Sequence, residues 1–434
     1  MDRIESWGRL PAAAQESLRL NFRDTPLPAA PGKTLLPHGL GRSYGDVCLN
    51  DAGALLLTRA LDRFVAFDSG RGVLRCEAGV SFAQILDFAL PRGWFLPVTP
   101  GTKFVTLGGA IANDVHGKNH HRAGSLGCHV LGFEILRSDG SRRVCTPDSN
   151  AEWFAATIGG LGLTGLITWA EIQLRPIASA QMDVETLRFG GLREFFELTR
   201  ASDQSHEYTV AWIDCLARAA NLGRGLYMRA NHVDAPRPNA LMRERVRRPR
   251  LSLPLTLPVS AVNGLSLRAF NALYYGLSRS GRRLQHYEPY FYPLDGIGGW
   301  NRLYGPRGFF QYQCVVAAES AIEDMIRRIA DAGAGSFLAV LKGLGSRRSP
   351  GLLSFPRAGY TLALDFPNRG ADTLRLFERL DAIVAAAGGA IYPAKDARMP
   401  AALFKQAYPR WQELEQLRDP QFSSSFWRRV TSGV

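Results

Sequence analysis

The sequence predicts an α+β protein with two domains. Residues 34–175 contain short apolar segments separated by glycine, which indicates strands joined by tight turns. From about residue 178 the order of predicted elements ends in β-α-β-β-α-β, which typically folds as an antiparallel sheet with helices on one face. The chain has 434 residues, 46% of them hydrophobic and 21% charged, so it is globular and long enough for two domains.

The first strands and the first helix lie close to the N-terminus. Three strands are predicted, LLLT (55–58), FVAF (64–67) and VLRCEAG (73–79). A helix follows, because Ser81 can cap it and Phe82 and Ile85 share one face. Pro91 and Gly93 end that helix.

The next elements are a hairpin and a long strand. Residues 130–146, VLGFEILRSDGSRRVCT, predict two strands joined at the turn Asp139-Gly140. The segment LTGLITWAEIQLRP alternates apolar and polar residues and predicts a strand that ends at Pro176.

Strands and helices alternate in the second half of the chain. The predicted strands are VETLRF (184–189), YTVAWIDC (208–215), GRGLYMRANH (223–232), FQYQCVVA (310–317), FLAVLKG (337–343), YTLALDF (360–366) and AIYP (390–393). The predicted helices are GLREFFELTRAS (191–202), SAIEDMIRRIADAG (320–333) and ADTLRLFERLDAIVAAAGG (371–389). We therefore place a second domain over residues 178–389.

Charge and cysteine usage narrow the functional class. The formal net charge of +13 favours anionic partners such as phosphates, nucleic acid or an acidic membrane surface. None of the six cysteines forms a C-x-x-C pair, so we expect reduced thiols of an intracellular protein and no zinc or other metal site. The N-terminus has no signal-peptide pattern, and no apolar run is long enough for a transmembrane helix.

The stretch GLGRSYGDVCLN (39–50) has an unusually bare backbone. Gly39, Gly41 and Gly45 lack the Cβ that would keep a phosphate from the backbone N–H groups. Ser43 and Tyr44 add hydroxyl donors to the same loop. Taken alone, this loop is either a phosphate cradle or an ordinary glycine-rich turn, because glycine motifs by themselves are weak evidence.

Two further glycine-rich stretches follow. In residues 99–125 the small run 108–112 can start a helix against a flat ligand, with its amides directed at a phosphate; the alternative is helix packing beside a solvated His/Lys loop. The stretch 160–165 matches G-x-G-x-x-G, but the residues after it alternate as a strand, which excludes a Rossmann NAD site. Together the three stretches predict one extended ligand with a pyrophosphate and a flat ring system, which a flavin dinucleotide fits.

Several motifs together resemble a known family. They are GLGRSYGD (39–46), PGT (100–102), GGAIA (108–112), HGKNHH (116–121) and AKDAR (394–398). They resemble the PCMH-type FAD-binding domain of the vanillyl-alcohol-oxidase superfamily, and the likeness covers nearly the whole chain. The resemblance implies an FAD-binding domain over 1–177, an antiparallel-sheet substrate (cap) domain over 178–389, and a C-terminal segment, 390–434, that returns to the FAD-binding domain.

The resemblance also implies roles for individual residues. It implies that Lys395, His116 and Tyr44 are catalytic, with Lys395 reaching both the flavin and the substrate. The implied cofactor-binding residues are Gly39, Leu40, Gly41, Arg42, Ser43, Tyr44, Gly45, Pro100, Gly101, Thr102, Gly108, Gly109, Ala112, His116, Gly117, Asn119, Gly162, Thr164, Gly165 and Lys395. The implied substrate-binding residues are Lys118, Trp212, Tyr292, Gln311 and Gln313. Relatives that bond FAD covalently carry a histidine in the first loop, and residues 42–45 contain none, so we expect noncovalent FAD.

The implied reaction is an oxidation of a lipid-linked sugar. The motifs are most similar to the group that oxidises the C2′ hydroxyl of polyprenylphosphoryl-β-D-ribose to the 2′-keto sugar, the first half of epimerisation to the D-arabinose donor of the cell envelope. Flavin accepts the hydride in that reaction and a protein group takes the proton. The residues leave His116 and Lys395 open as the base. A separate NAD(P)H-dependent keto-reductase is implied as partner.

A lipid-linked substrate implies contact with a membrane. Residues 237–250 hold six arginines and one glutamate, and an apolar, proline-broken segment follows. Such a pair either sits on anionic headgroups or forms a flexible solvated loop. We therefore expect a cytoplasmic protein with peripheral contact at the inner membrane through 237–258.

Two other functions remain open from the sequence. One is an oxygen-dependent oxidase of a soluble alditol or sugar lactone in the same superfamily. The other is a nucleic-acid binder, which the net charge suggests. No RNA- or DNA-binding signature supports the latter, so we expect no nucleic acid among the partners.

Overall fold

A computed structural model describes residues 4–234 and 251–432 of the chain. In this part of the chain no helix combines the length and the apolar character needed to cross a bilayer. The six cysteines form no disulfide, and Cys76, Cys145, Cys215 and Cys314 are buried. Of the predicted membrane segment 237–258, residues 237–250 lie outside the described residues.

A small parallel sheet lies near the N-terminus. Its strands are β1 (Glu16–Arg19), β2 (Leu35–His38) and β3 (Ala54–Leu57), with β3 in the centre. The central strand confirms the strand predicted from LLLT, and Leu55 and Leu56 are fully buried in it. Because β2 ends at His38, the glycine-rich loop 39–45 begins at the end of this sheet.

A five-stranded antiparallel sheet forms the rest of the N-terminal framework. In spatial order its strands are β4 (Phe64–Asp68), β5 (Val73–Glu77), β9 (Leu166–Gln173), β7 (Val130–Leu136) and β8 (Arg142–Cys145). Two short strands, β6 (Trp94–Phe95) and β10 (Arg175–Pro176), pair separately. The predicted hairpin is confirmed, since β7 pairs with β8 and Gly140 adopts a φ of 80° in the turn.

Four short helices accompany this sheet. They are α1 (Phe82–Ala89), α2 (Leu107–Ala112), α3 (His120–Ala123) and α4 (Ala151–Thr157). The helix predicted after Ser81 is confirmed, because Ser81 and Gln84 form a capping box at its start. Gly93 takes a left-handed conformation after it, with a φ of 78°.

One eight-stranded antiparallel sheet dominates the second half of the chain. In spatial order its strands are β15 (Gly281–His286), β11 (Gln181–Phe189), β13 (Gly225–His232), β12 (Tyr208–Ile213), β18 (Val340–Leu344), β19 (Gly359–Pro367), β17 (Phe309–Val316) and β20 (Ala390–Ile391). Its helices include α5 (Leu192–Ser202), α8 (Glu319–Asp331) and α9 (Ala371–Ala386). The predicted α+β class and antiparallel sheet are confirmed.

The large sheet contains the β-α-β-β-α-β order twice. The first copy begins at β11 and ends at β15, and the second begins at β17 and ends at β20. The two copies meet edge to edge where β12 pairs with β18, and the strand order on one side mirrors the order on the other. The sequence predicts only the second copy, because the last strand of the first is the arginine-rich edge segment GRRLQH.

The two faces of the large sheet differ in character. Phe195 of α5, Ile322 of α8 and Leu380 of α9 belong to one apolar core with Tyr312 of β17 and Leu362 of β19. These helices therefore cover the same face, as predicted. The residues between the core positions point to the opposite face, because side chains alternate along a strand.

Several elements between residues 251 and 300 are not predicted from the sequence. They are β14 (Leu251–Ser252), α6 (Gly264–Leu277), α7 (Tyr287–Phe291) and β16 (Ile297–Gly298). The main one is α6, in which Asn263 caps the start together with Ser266. Of its four leucines only Leu267 is buried, so the usual apolar stripe of a surface helix is incomplete.

The C-terminal segment packs against the N-terminal region. It contains α10 (Ala401–Ala407), α11 (Trp411–Leu417) and α12 (Ser425–Thr431). Arg429 donates to both carboxylate oxygens of Asp46 at 2.8 Å and to Asp396 at 2.8 Å. The division into residues 1–177, 178–389 and 390–434, in which the last segment returns to the first domain, stays a proposal, because β20 at the start of that segment pairs with β17 in the large sheet.

Candidate active site

A single large cavity of about 1160 Å³ lies between the glycine-rich loops and the open face of the eight-stranded sheet. Most of the predicted site residues line it. They are Gly39, Leu40, Gly41, Arg42, Ser43, Tyr44, Pro100, Gly101, Thr102, Gly108, Gly109, Ala112, His116, Gly117, Lys118, Gly162, Gly165, Trp212, Gln311, Gln313 and Lys395. Residues separated by more than 350 positions in the chain therefore meet around one space.

Four predicted residues do not line the cavity, and each has a structural reason. Gly45 packs against the backbone of Asp396, and the Asn119 amide donates to Pro97 O at 2.9 Å. Thr164 and Thr157 share a buried hydrogen bond of 2.9 Å. Tyr292 is buried with its hydroxyl 2.7 Å from Thr99 Oγ1. The assignment of these four residues to the cofactor or substrate site stays a prediction.

The loop 39–45 forms one end of the cavity. Gly41 has a φ of 59°, a left-handed conformation that favours glycine. A Cβ on Gly39 would lie 2.3 Å from Thr106 Oγ1, so only glycine lets the loop approach α2 this closely. The Arg42 guanidinium lies 4.1 Å from the centre of the Trp7 ring and donates to Phe104 O at 3.1 Å.

The second glycine-rich stretch begins the short helix α2. Thr106 caps this helix by accepting a hydrogen bond of 3.2 Å from the Gly109 amide. A Cβ on Gly108 would lie 2.8 Å from the Ala78 methyl, so the helix lies directly against the strand-end residues. The predicted helix start among small residues is confirmed.

The third glycine-rich stretch follows a helix and precedes a strand. It lies between α4 and β9, which is the reverse of the strand–turn–helix order of a dinucleotide-binding Rossmann unit. Gly162 and Gly165 have φ values of 76° and 140°. The exclusion of a Rossmann site is confirmed, while both glycines still line the cavity.

The cavity wall fits an elongated polar ligand with a flat portion. Asn113 Oδ1 is buried at the wall and has no hydrogen-bond partner among the described residues. A buried amide oxygen without a partner is costly, so a ligand donor at this place would relieve it. A Cβ on Gly101 would meet no atom within 4 Å, which leaves open space beside the backbone there.

The large sheet contributes its open face to the cavity. The register pairs Trp212 with Val340, Val340 with Ala363, and Ala363 with Gln313 across four neighbouring strands. These residues all line the cavity. The four side chains share one face, because directly paired residues of an antiparallel sheet lie on the same face.

Lys395 lies beside that row, in a short 3-10 helix that follows β20, and the Tyr392 amide just before this helix donates to Gln313 O at 2.9 Å. The preceding residue, Ala394, accepts a hydrogen bond of 2.9 Å from the Tyr44 amide. The Lys395 ammonium lies 4.0 Å from the centre of the Tyr44 ring, within cation–π distance. The structure therefore brings together Lys395 and Tyr44, which the sequence pairs only through the resemblance.

Three lysines with lowered pKa values line the cavity. Burial lowers the pKa of Lys395 to about 7, that of Lys118 to about 7 and that of Lys342 to about 8. The carboxylate of Asp365 opposes this effect at Lys395, while burial raises the pKa of Asp365 itself to about 7. The site thus holds several groups that can change protonation state near neutral pH.

His116 is neutral and held by the sheet. Burial, with the nearby charge of Lys342, places its pKa well below the ordinary range for histidine. Gln313 Nε2 donates to His116 Nε2 at 2.9 Å, and the same amide lies 3.3 Å from Thr361 Oγ1. The lone pair of Nε2 is therefore already engaged.

Two charged residues of the site, Lys342 and Asp365, are not predicted from the sequence. Lys342 lines the cavity and lies 3.5 Å from Gly117 O, and Asp365 accepts a hydrogen bond of 2.7 Å from Gln311. The alternation of side chains along a strand could have identified both residues. Lys342 stands two residues from Val340, and Asp365 two residues from Ala363, so each shares the face of a cavity residue.

Comparison of the sequence with known proteins identifies the family of this chain. Residues 27–146 match the family described as FAD binding domain. The chain is 38% identical to the decaprenylphosphoryl-β-D-ribose oxidase of Mycolicibacterium smegmatis over 417 residues, which are 92% of this chain and 89% of that protein. A Streptomyces coelicolor protein described as an uncharacterized protein in the mprA 5′ region is 36% identical over 81% of this chain and the whole of that protein. The human Δ(24)-sterol reductase is 30% identical over 25% of this chain and 21% of that protein.

The fold and these similarities thus define an FAD-dependent oxidoreductase. Because the first relative is matched over nearly its full length, the chain belongs to the family of decaprenylphosphoryl-β-D-ribose oxidases. FAD is its cofactor.

Proposed function

We propose that this protein oxidises the C2′ hydroxyl of a polyprenylphosphoryl-β-D-ribose to the 2′-keto sugar. The observation that supports this most is that Lys395 lines the same cavity as Gln311 and Gln313 and lies beside their strand, since Tyr392 N donates to Gln313 O at 2.9 Å. Bound FAD supplies the acceptor for the hydride. The name of the Mycolicibacterium relative supports the same substrate class.

The cofactor would be held by the glycine-rich half of the cavity. Backbone amides of the loop 39–44 and of residues 108–109 are the groups suited to the pyrophosphate, since glycine leaves them accessible. The Gly162–Gly165 turn and the backbone around Gly117 would enclose the rest. Asn113 Oδ1, buried without a partner, would accept a hydrogen bond from the cofactor.

Of the two candidate bases, Lys395 is the better one. An amine with a pKa of about 7 is partly neutral at neutral pH and can take the hydroxyl proton. His116 is less suited, because its Nε2 already accepts from Gln313 and burial holds its pKa very low. Once protonated, Lys395 would stabilise negative charge that develops in the cavity.

The other two lysines fit the phosphate of the substrate. Lys118 donates to Tyr290 O and lies 4.3 Å from the Tyr290 ring centre, so its position is held from one side. Lys342 lies on the sheet face near Gly117. An anion between them would restore their full charge, since a nearby opposite charge raises the pKa of an amine. Trp212, Gln311 and Gln313 would contact the ribose.

The product would need a second enzyme. A 2′-keto sugar is converted to the epimeric alcohol by hydride delivery to the opposite face, so we propose an NAD(P)H-dependent keto-reductase as partner. Both enzymes would work at a membrane surface, because the polyprenyl chain of the substrate belongs in a bilayer.

An anaerobic titration tests this function. The yellow protein is mixed with a short-chain prenylphosphoryl-β-D-ribose, and the absorbance of oxidised flavin is followed. We expect stoichiometric bleaching. An unchanged flavin band with this ligand, combined with bleaching by free alditols or sugar lactones, would contradict the proposed substrate and leave the cofactor assignment standing.

A further inference from the structure

Residues 251–277 carry unusually exposed apolar side chains. Among the described residues, every large hydrophobic side chain that is more than 60% exposed belongs to this stretch. They are Leu251, Leu255, Val259, Leu265, Leu273 and Leu277. A contiguous exposed apolar surface on a folded protein marks a contact with another apolar body. We call these six residues the apolar face.

Helix α6 exposes most of its leucines to solvent. Leu265, Leu273 and Leu277 are spaced by multiples of four residues, so they form one stripe, and this stripe faces solvent. The buried side of the helix carries Leu267, which packs with Tyr304 and Phe309, and Asn271, whose amide donates to Asp214 Oδ1 at 2.7 Å. The helix is therefore anchored through both contacts and presents three of its four leucines outward.

The segment before α6 is also held in a fixed position. Arg302 donates to Leu253 O at 2.6 Å and to Pro254 O at 2.7 Å, and the Leu257 amide donates to Arg302 O at 3.2 Å. These bonds satisfy backbone groups of the segment, while Leu251, Leu255 and Val259 remain exposed. Their exposure thus belongs to a hydrogen-bonded segment.

The apolar face continues into the cavity. Leu255, Phe270 and Tyr274 are exposed and also line the cavity. The rings of Phe270 and Tyr274 stack at 5.5 Å, and Tyr274 meets Trp212 edge-on at 4.8 Å. Apolar and aromatic side chains therefore lead from the outer surface to the sheet residue Trp212 of the proposed sugar site.

The stretch of sequence that carries the apolar face is basic. From residue 251 to 287 the sequence contains four arginines and no aspartate or glutamate. Arg268 and Arg279 are exposed on or beside α6, and Arg283 is exposed and lines the cavity. Leucines rimmed by arginines match a bilayer, because the leucines enter the acyl region while arginines contact anionic headgroups.

We infer that the apolar face docks on a membrane containing anionic phospholipid. In this orientation the side of the cavity lined by Leu255, Phe270 and Tyr274 faces the hydrocarbon of the bilayer. A polyprenyl chain could then stay in the bilayer while its sugar phosphate reaches the sheet. The inference rests on the proposed function for its lipid substrate, but the docking itself can be tested separately.

Vesicle flotation tests the docking. The FAD-loaded protein is compared with the triple variant Leu265→Gln/Leu273→Gln/Leu277→Gln, which keeps side-chain length and helix propensity. None of the three leucines lines the cavity. We expect the triple variant to bind phosphatidylcholine vesicles containing phosphatidylglycerol at least about 30-fold more weakly than the unchanged protein. The control Leu374→Gln, also exposed on a helix, should bind like the unchanged protein.

The charge contribution has its own variant. Arg268→Gln/Arg279→Gln should reduce binding to phosphatidylglycerol vesicles roughly tenfold and leave binding to pure phosphatidylcholine unchanged. Equal binding of the unchanged protein to both kinds of vesicle would overturn the anionic preference. Equal flotation of the leucine triple variant and the unchanged protein would overturn the docking face.

Two further readouts separate this inference from the proposed function. In the leucine triple variant, a water-soluble short-chain substrate should reduce the flavin at the same rate as in the unchanged protein. A long-chain substrate embedded in vesicles should reduce the flavin of the variant more slowly than that of the unchanged protein. Vesicle binding without reduction by either substrate would support the docking and contradict the proposed function. Self-association through the leucines, without vesicle binding, would overturn the docking in favour of a second copy of the chain.

Discussion

Gln311 Nε2 donates a hydrogen bond of 2.7 Å to Asp365 Oδ1 across a directly paired position of β17 and β19. The bond joins a proposed sugar-binding amide to the carboxylate that acts on the pKa of Lys395. Substrate position and the protonation state of the proposed base are therefore connected through two neighbouring side chains of one sheet.

Replacement of Asp365 by asparagine should shift the pH dependence of the reaction. Asn retains an oxygen that can accept from Gln311, but it removes the charge that raises the pKa of Lys395. Lys395 would then lose its proton at lower pH, so the acidic limb of the kcat/KM profile moves toward acid. Asp372→Asn, on an exposed helix start, serves as control. An acidic limb that stays in place or moves toward higher pH would contradict the coupling.

Replacement of Lys395 by methionine should greatly lower the rate of the proposed reaction. Loss of a general base typically costs about 100-fold to 10,000-fold in rate. We expect the anaerobic rate of flavin reduction to fall by such a factor, while the protein still binds FAD. Lys405→Met removes a half-buried lysine that does not line the cavity, so its rate should be unchanged. A similar loss in both variants would indicate a general effect of removing positive charge.

Two glycine variants distinguish packing from cofactor contact. A Cβ on Gly45 would lie 1.8 Å from Asp396 O, a backbone atom beside Lys395. Gly45→Ala should therefore lower the free energy of unfolding of the FAD-free protein by about 1–3 kcal/mol. Gly101→Ala, with no atom within 4 Å of its Cβ, should leave that free energy unchanged and weaken FAD binding. Urea unfolding and FAD titration measure both quantities.

The stability of the protein should decrease in mild acid. Burial lowers the pKa of His38, His120 and His232 to about 4, below the value of 6.5 in the unfolded chain. Between these values the unfolded chain binds more protons, so the stabilisation is present above pH 6.5 and is lost as the pH falls toward 4. His232→Gln should remove about 2 kcal/mol of the difference in unfolding free energy between pH 7 and pH 5. An unchanged difference would contradict a neutral buried His232.

The flavin should be released by acid. The loop 42–45 contains no histidine that could form a covalent bond to the ring. After precipitation with trichloroacetic acid, we expect the yellow colour in the supernatant. Colour that remains in the protein pellet would show a covalent bond and contradict this prediction.

The sequence by itself determines the local elements and the kind of ligand. Ser81 and Gln84 specify a helix start, Asp139-Gly140 specifies a hairpin, and the bare loops predict a pyrophosphate ligand. Each of these follows from contacts between residues close together in the chain, where capping and backbone freedom decide the conformation.

Only the tertiary structure decides which residues share the site. Gly45 and Tyr292 belong to matching motifs, yet one packs on Asp396 and the other bonds Thr99 outside the cavity. Lys342 and Asp365 enter the site through strand register, and three leucines of α6 are left exposed because Leu267 and Asn271 anchor the other side of that helix. Register and packing depend on contacts between residues far apart in the chain, so local patterns alone do not specify them.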